Sequence, residues 1–255
     1  MKLTRASFIP TIVLVFFVIS VIAYGFINVS LSDFRDLFSD SEFLAAVLFG
    51  LKTSFVAVFF SALFGIPAGF LLARNIGLLS KVSDVIFDVP IIVPPLIVGV
   101  LLLNVFNSGL VSKIYSFVFT FWGAAIAQFF IAFPFTVKAS KSAFELIPPI
   151  YERIAMTLGA NYFKSFFDTT LRLAKESIVS GLVLSWLRSL GEFGATLIVG
   201  GGIAYKTENI PINIYLKIVE GNFSEGLAAS LLVVVVAFVF VLSAKFVFGK
   251  RRFNL

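Results

Sequence analysis

Neither cysteine nor histidine occurs in this chain, and charge is scarce, with only 13% of its 255 residues being Asp, Glu, Lys or Arg. Without thiols or imidazoles there can be no disulfides, thiolate metal sites, cysteine nucleophiles, histidine general bases or imidazole pH switches. A typical soluble domain carries roughly 25% charge. Here the missing charge is replaced by apolar residues, 59% of the chain with 33 Phe among them, and the mean hydropathy is +1.04. Lipid is the solvent this composition suits. The formal net charge of +6 does not indicate nucleic acid, because such binders gather Lys and Arg on one face of a soluble domain. These charges fall between apolar runs.

Six apolar stretches reach the length of about 20 residues that a bilayer core requires: 8–29, 44–73, 82–106, 117–137, 178–200 and 227–248. They predict an all-α, polytopic membrane protein with six transmembrane helices, a single transmembrane domain over 1–255. The first stretch follows Lys2 and Arg5, exceeds an ordinary signal h-region and has no small-x-small cleavage site after it, so it reads as a retained helix. Cytoplasmic loops are enriched in Lys and Arg. With the N-terminus inside, the inner segments hold Lys2, Arg5, Arg74, Lys81, Lys138, Lys141, Arg153, Lys164, Arg172, Lys175, Lys245, Lys250, Arg251 and Arg252. The outer segments hold only Arg35, Lys113, Lys206 and Lys217. Both termini are therefore expected in the cytoplasm.

The inner loop between the fourth and fifth stretches, about 138–177, is more than a linker. Pro148 and Pro149 can open a helix, since proline tolerates its first turn. Ile150, Ile154 and Leu158 recur at spacing four, and Gly159 sits where a helix end needs positive φ. The pattern predicts a short amphipathic helix and a second one running from about Tyr162 toward the fifth span. Amphipathicity alone also suits a helix lying on the inner membrane surface. Outside, 32–43 is acidic and 211–219 reads as a short helix with Pro211 in its first turn; either could meet an external partner.

Arg188 and Glu192 are four apart within the fifth stretch and on a continuous helix would share a face. A charge at mid-bilayer costs about 2.5 to 3.5 kcal/mol on insertion scales, so both should face protein or water. They read either as an ion pair that makes the helix insertable, or as Arg188 lining an anion path that Glu192 orients or gates. Lys52 reads as snorkelling to the interface. Gly65, Pro67, Gly69, Pro90, Pro94, Pro95 and Pro134 interrupt the spans, and irregular backbone is tolerated there when buried in protein or lining a watery cavity. Pro134 reads as a simple kink, and Gly191 with Ala195 as a step for close helix packing.

The inner loop also carries a motif. Glu152, Ala155 and Gly159, followed after nine residues by Thr169, Thr170, Leu171 and Arg172, resemble the cytoplasmic signature of ABC importer permeases, which reads Glu, Ala, Ala, a gap, Gly, nine residues, Ile, any residue, Leu, Pro. Arg153 and Ile154 follow the Glu, Thr169 stands for the Ile, and Arg172 for the Pro. In the fifth stretch, 185–199 reads SWLRSLGEFGATLIV, similar to the molybdate, tungstate and sulfate branch. The resemblance implies a type I ABC importer permease, a homodimer on two copies of a cytoplasmic ATPase, fed by an extracytoplasmic oxyanion-binding protein. It also implies that the short inner helix couples the subunits, with Glu152, Ala155, Leu158 and Gly159 as contacts to the ATPase. No cofactor is expected in this chain, ATP and Mg being held by the ATPase. Arg188 and Glu192 stand as candidates for the pathway.

Three rivals were weighed. A secondary anion transporter or channel would need coupling groups, and only one intramembrane acid, Glu192, is apparent. A Ser/Lys hydrolase using Lys52 with Ser54 or Ser61 is a poor reading, because Lys52 and Ser54, only two apart, diverge on a helix. The segment 200–207 ends in Lys206 and Thr207 like a phosphate loop, but Tyr205 takes the place of the required Gly.

Overall fold

The computed structural model describes residues 8–249, with side chains through residue 243. Lys2, Arg5, Lys250, Arg251, Arg252 and the side chain of Lys245, which carry part of the charge asymmetry, lie outside the described residues. All regular structure among the described residues is helical. The described residues form two compact units, one from 8–44 with 213–249 and the other from 45–212.

In the first unit, α1 (Ile9–Ile27) buries no residue at all. A helix apolar on every side is made for lipid. α2 (Leu31–Ser39) opens with a reciprocal cap, Ser30 accepting from the N–H of Asp33 while Asp33 accepts from the N–H of Ser30. Its Leu37 is fully buried, and α2 packs on α12 (Phe223–Gly249). α11 (Ile210–Val219) supplies Lys217, whose Nζ reaches Asp40 and Glu225, each at 2.7 Å. The acidic outer loop and the short outer helix of the sequence reading are thus tied to each other.

The second unit contains α3 (Ser41–Arg74), α4 (Leu78–Ile92), α5 (Pro95–Phe106), α6 (Phe121–Glu145), α7 (Ile150–Thr157), α8 (Tyr162–Ser165), a π-helical turn (Phe166–Leu171), α9 (Arg172–Leu190) and α10 (Gly194–Gly200). α1, α3, α6 and α12 are each long and apolar enough to cross a bilayer; the bent pairs α4/α5 and α8–α9/α10 bring the number to six.

Those two bends are where the structure departs from six straight helices. α4 and α5 meet at 109°, because Pro94 and Pro95 supply no N–H and push Val93 into extended backbone, ψ 132°. The fifth span bends by 53°, where Gly191 ends α9 and α10 starts only at Gly194. Glu192 therefore lies off the helix, not on a helical face with Arg188. Pro67 and Pro134, by contrast, lie within continuous α3 and α6. Gly65 and Gly69 mark a close crossing and not an open path: a Cβ on Gly69 would stand 2.8 Å from the amide of Lys141.

Two apolar clusters order this unit. Phe70, Phe144 and Phe166 join α3, α6 and the π turn with ring centroids 4.7 to 5.9 Å apart. Val98, Phe106, Ile131 and Val199 join α5, α6 and α10. Between α6 and α9, Ser185 donates to the carbonyl of Ala132 at 2.8 Å, a contact that works as interhelical glue in a membrane.

Candidate functional site

α7 begins after Pro149 and carries Glu152 in its first turn, where a carboxylate complements the helix dipole. It ends in a Schellman arrangement: Gly159 N–H to Met156 at 3.0 Å and Ala160 N–H to Ala155 at 3.0 Å, with Gly159 at φ +92°. Only glycine takes that backbone without penalty. The C-cap foreseen in the sequence is there, and the helix foreseen from Tyr162 runs through α8 and the π turn into α9.

Nothing in α7 is buried. Its hold on the bundle is polar and converges on one side chain. Glu152 Oε1 accepts from Arg74 Nη2 at 2.7 Å and Nε at 3.2 Å, and from Thr170 Oγ1 at 2.9 Å. The Glu152 carbonyl also accepts from Ser165 Oγ at 3.0 Å. Glu152 and Ala155 thus lie on the half-buried side, while Tyr151, Ile154 and Leu158 are exposed, Leu158 at 84%. A short helix with its polar anchor inward and apolar groups outward is dressed for a groove on a partner. Gly159 is open, with nothing within 4 Å of a Cβ built there.

The second candidate pair lies at the α9/α10 bend. Arg188 Nη1 donates to Glu192 Oε2 at 2.7 Å, and the amide of Ala195 donates to Glu192 Oε1 at 2.9 Å. Asn209 Nδ2 donates to the Glu192 carbonyl at 2.7 Å. Glu192 is 1% exposed and Arg188 31%. Each carboxylate oxygen takes one donor, the Ala195 amide at the start of α10 and the Arg188 guanidinium; the guanidinium, with five N–H donors, spends one on the carboxylate. Gly191 makes no packing step with Ala195, since only Leu187 of its own helix is near it. The close approach is made by others: a Cβ on Gly99 would stand 2.9 Å from Ala195 Cα, and one on Gly194 would stand 2.9 Å from the amide of Leu96. The two bends are therefore pressed together, as in transporters whose discontinuous helices meet at a substrate site.

The sequence reading missed a charge cluster. Asp84 and Asp88, inside the third apolar stretch, pair with α6: Lys138 reaches Asp84 and Asp88 at 2.8 Å each, and Lys141 reaches Asp84 at 2.7 Å. Glu192 is thus not the only acid in an apolar stretch, and Lys138 and Lys141 belong to α6 and not to a loop. A visible signal existed, two acids at spacing four in a hydrophobic run followed by two lysines at spacing three. A recess of about 290 Å³ between α3 and α6 is lined by Val56, Phe60, Phe64, Trp122, Ala125, Ile126 and Phe129. With apolar walls only, it offers nothing to a dehydrated anion.

Discontinuous spans around a polar bend, and a short outlying helix with an apolar outer face, define a polytopic helical membrane permease. The chain belongs to the family of binding-protein-dependent transport system inner membrane components, whose model matches residues 65–252. It is similar to the molybdenum transport system permease protein ModB of Mycobacterium bovis, 33% identical over 246 residues, covering 94% of this chain and 93% of that one. The sulfate transport system permease protein CysT of Salmonella typhimurium is 30% identical over 218 residues, 80% of this chain and 79% of its own. Among solved structures, a chain of a bacterial ABC transporter involved in the import of the acidic polysaccharide alginate superposes with a TM-score of 0.72 at 21% identity, over 97% of this chain and 95% of that one. The protein is the multi-pass membrane permease subunit of an ABC importer, with the type I fold.

Proposed function

We propose that this chain translocates a tetrahedral oxyanion, molybdate or tungstate ahead of sulfate, as a homodimer on two copies of a cytoplasmic ABC ATPase. ATP and Mg bind in the ATPase, and an extracytoplasmic binding protein delivers the anion. Both termini and α7 lie in the cytoplasm. The observation that carries this reading is α7 itself, which presents Tyr151, Ile154 and Leu158 outward, exposed among the described residues. The relatives named for molybdenum and sulfate transport support the substrate class.

On this reading α7 seats in a groove of the ATPase, with Leu158 and Gly159 at the contact while Ala155 lies with Glu152 on the inward side, and nucleotide-driven closure moves α7 and the helices it is tied to. Arg188 meets the passing anion near the joined bends, while Glu192 holds the bend in shape. A cation with spare donors in a low-dielectric span suits an oxyanion without caging it. The test is to co-express this chain with its ATPase and binding protein, reconstitute them in liposomes, and measure ATP hydrolysis and uptake with each oxyanion. Stimulation by the loaded binding protein is the expected result and identifies the ion. An ATP-independent anion flux with no ATPase bound would overturn it in favour of a secondary transporter or channel.

A further inference from the structure

Arg74, the last residue of α3, reaches both α7 and the end of α6. Its Nε and Nη2 hold Glu152, and its Nη1 donates to the carbonyl of Phe144 at 3.1 Å, at the end of α6. The guanidinium carbon stands 5.6 Å from the centroid of Phe70, within the cation–π range. Arg74 thus sits at the C-terminal ends of two helices, where a cation is favoured, and faces the first turn of a third, where an anion is favoured. Both partners are well shielded, with side chains 18% and 12% exposed.

The same Glu152 oxygen takes the hydroxyl of Thr170, which is fully buried in the π turn. A π turn inserts an extra residue into the helix and is found mostly at functional positions. Here it leads directly into α9, the helix carrying Arg188. Since α7 has no buried side chain, apolar packing does not fix its position. One carboxylate ties it to Arg74 of α3, which itself holds the end of α6, and to Thr170 of the π turn that runs into α9.

We propose that Arg74 is a positioning residue for coupling. Through Glu152 it clamps α7 to the ends of α3 and α6, and Thr170 completes the clamp to α9, so that displacement of α7 by the ATPase is passed to the membrane helices. Glu152 accordingly works from the inner side of α7 as the pivot, and the contact to the ATPase is left to the outward residues. This rests on the permease reading above.

The experiment uses the full complex of permease, ATPase and binding protein in liposomes, with Arg74→Ala, Glu152→Gln, Thr170→Val and the exchange Arg74→Glu/Glu152→Arg. In Arg74→Ala and Glu152→Gln the ATPase is expected to remain bound while anion taken up per ATP hydrolysed falls about tenfold, within the usual range of coupling between sites. Thr170→Val is expected to show a smaller fall, and the exchange to restore part of the lost uptake per ATP; a merely structural role would lower the amount of assembled complex and leave uptake per ATP unchanged. Where Arg74→Ala does not accumulate in the membrane, Arg74→Lys and Thr170→Val decide, since both keep volume near native. Reduced uptake per ATP with ATPase bound supports the clamp, and wild-type uptake per ATP overturns it. Loss of ATPase binding in Glu152→Gln with normal coupling in Arg74→Ala would instead make Glu152 a docking residue. Failure of the wild-type chain to bind any ATPase would refute the permease reading, a result distinct from all of these.

Discussion

The Arg74–Glu152 and Arg188–Glu192 pairs both close at 2.7 Å, yet one joins residues 78 apart in sequence and the other four apart. In the local pair the carboxylate is fully buried and caps α10, so it holds a helix bend in shape. In the long-range pair the carboxylate collects donors from two other parts of the bundle and holds a helix that has no apolar anchor of its own. Equal distance therefore does not mean equal role: a short pair stiffens the element it belongs to, and a long one reports where one element lies against another.

Breaking the local pair should cost most. Glu192→Ala strips Arg188 of its counter-ion and the Ala195 amide of its acceptor, and truncating one member of a buried pair typically costs about 3 to 5 kcal/mol. Membrane accumulation and thermal unfolding in detergent check this; wild-type behaviour would abolish the contrast drawn between the pairs. Arg188→Ala leaves Glu192 its Ala195 amide, so the chain should still insert, and uptake should fall at least about tenfold, equal to about 1.4 kcal/mol in the barrier. Loss of the protein from the membrane would assign Arg188 to structure instead of pathway.

Smaller effects sharpen the contrast at the other end. Gly159→Val forces a branched side chain into positive φ, which costs about 1 to 2 kcal/mol, although the surrounding space is open. Uptake should drop with the ATPase still bound, and normal uptake by this variant would remove Gly159 from the coupling role.

Lys217 offers a third kind of pair, outside the membrane spans, and removing it as Lys217→Met should cost about 1 kcal/mol. Burial pushes the Asp40 carboxyl up, but the Lys217 ammonium and the amides of Glu42 and Phe43 outweigh it and hold the group below its ordinary 3.8. Burial likewise pushes the Lys217 amine down, and Asp40 with Glu225 outweigh it and hold the group above its ordinary 10.5. The Asp40 contribution is present above 3.8 and lost as pH falls through the lowered value. The Lys217 contribution is complete below 10.5 and lost as pH rises through the raised one. The stability gap between wild type and Lys217→Met should thus be level from about pH 5 to 9 and shrink toward either extreme. A gap confined to the acid side would leave Lys217 without a part in it.

Much of the candidate site was legible in advance. Apolar length gave the spans, Pro149 and Gly159 gave the limits of α7, and the resemblance of 152–172 and 185–199 to permease motifs pointed to the family. The direction of Glu152 was not legible, because periodicity says which residues share a face and not what that face meets. Asp84 and Asp88 stood visible at spacing four, but their lysines lie 50 to 57 residues on, and nothing near them in the chain names a partner over that distance.

Sequence alone determined that this chain lives in lipid, in about six passes, with a short helix between the fourth and fifth, because burying apolar length and satisfying every backbone hydrogen bond inside a bilayer leave few solutions. Only the tertiary structure decided that two of those passes bend, at 109° and 53°, and that the bends lie against each other. It also decided that the Glu152 carboxylate faces the bundle and gathers Arg74 and Thr170. Bend angles depend on which neighbours satisfy the freed backbone groups, and ion pairs on which side chains are brought within reach; both are properties of the packed bundle and not of any one segment.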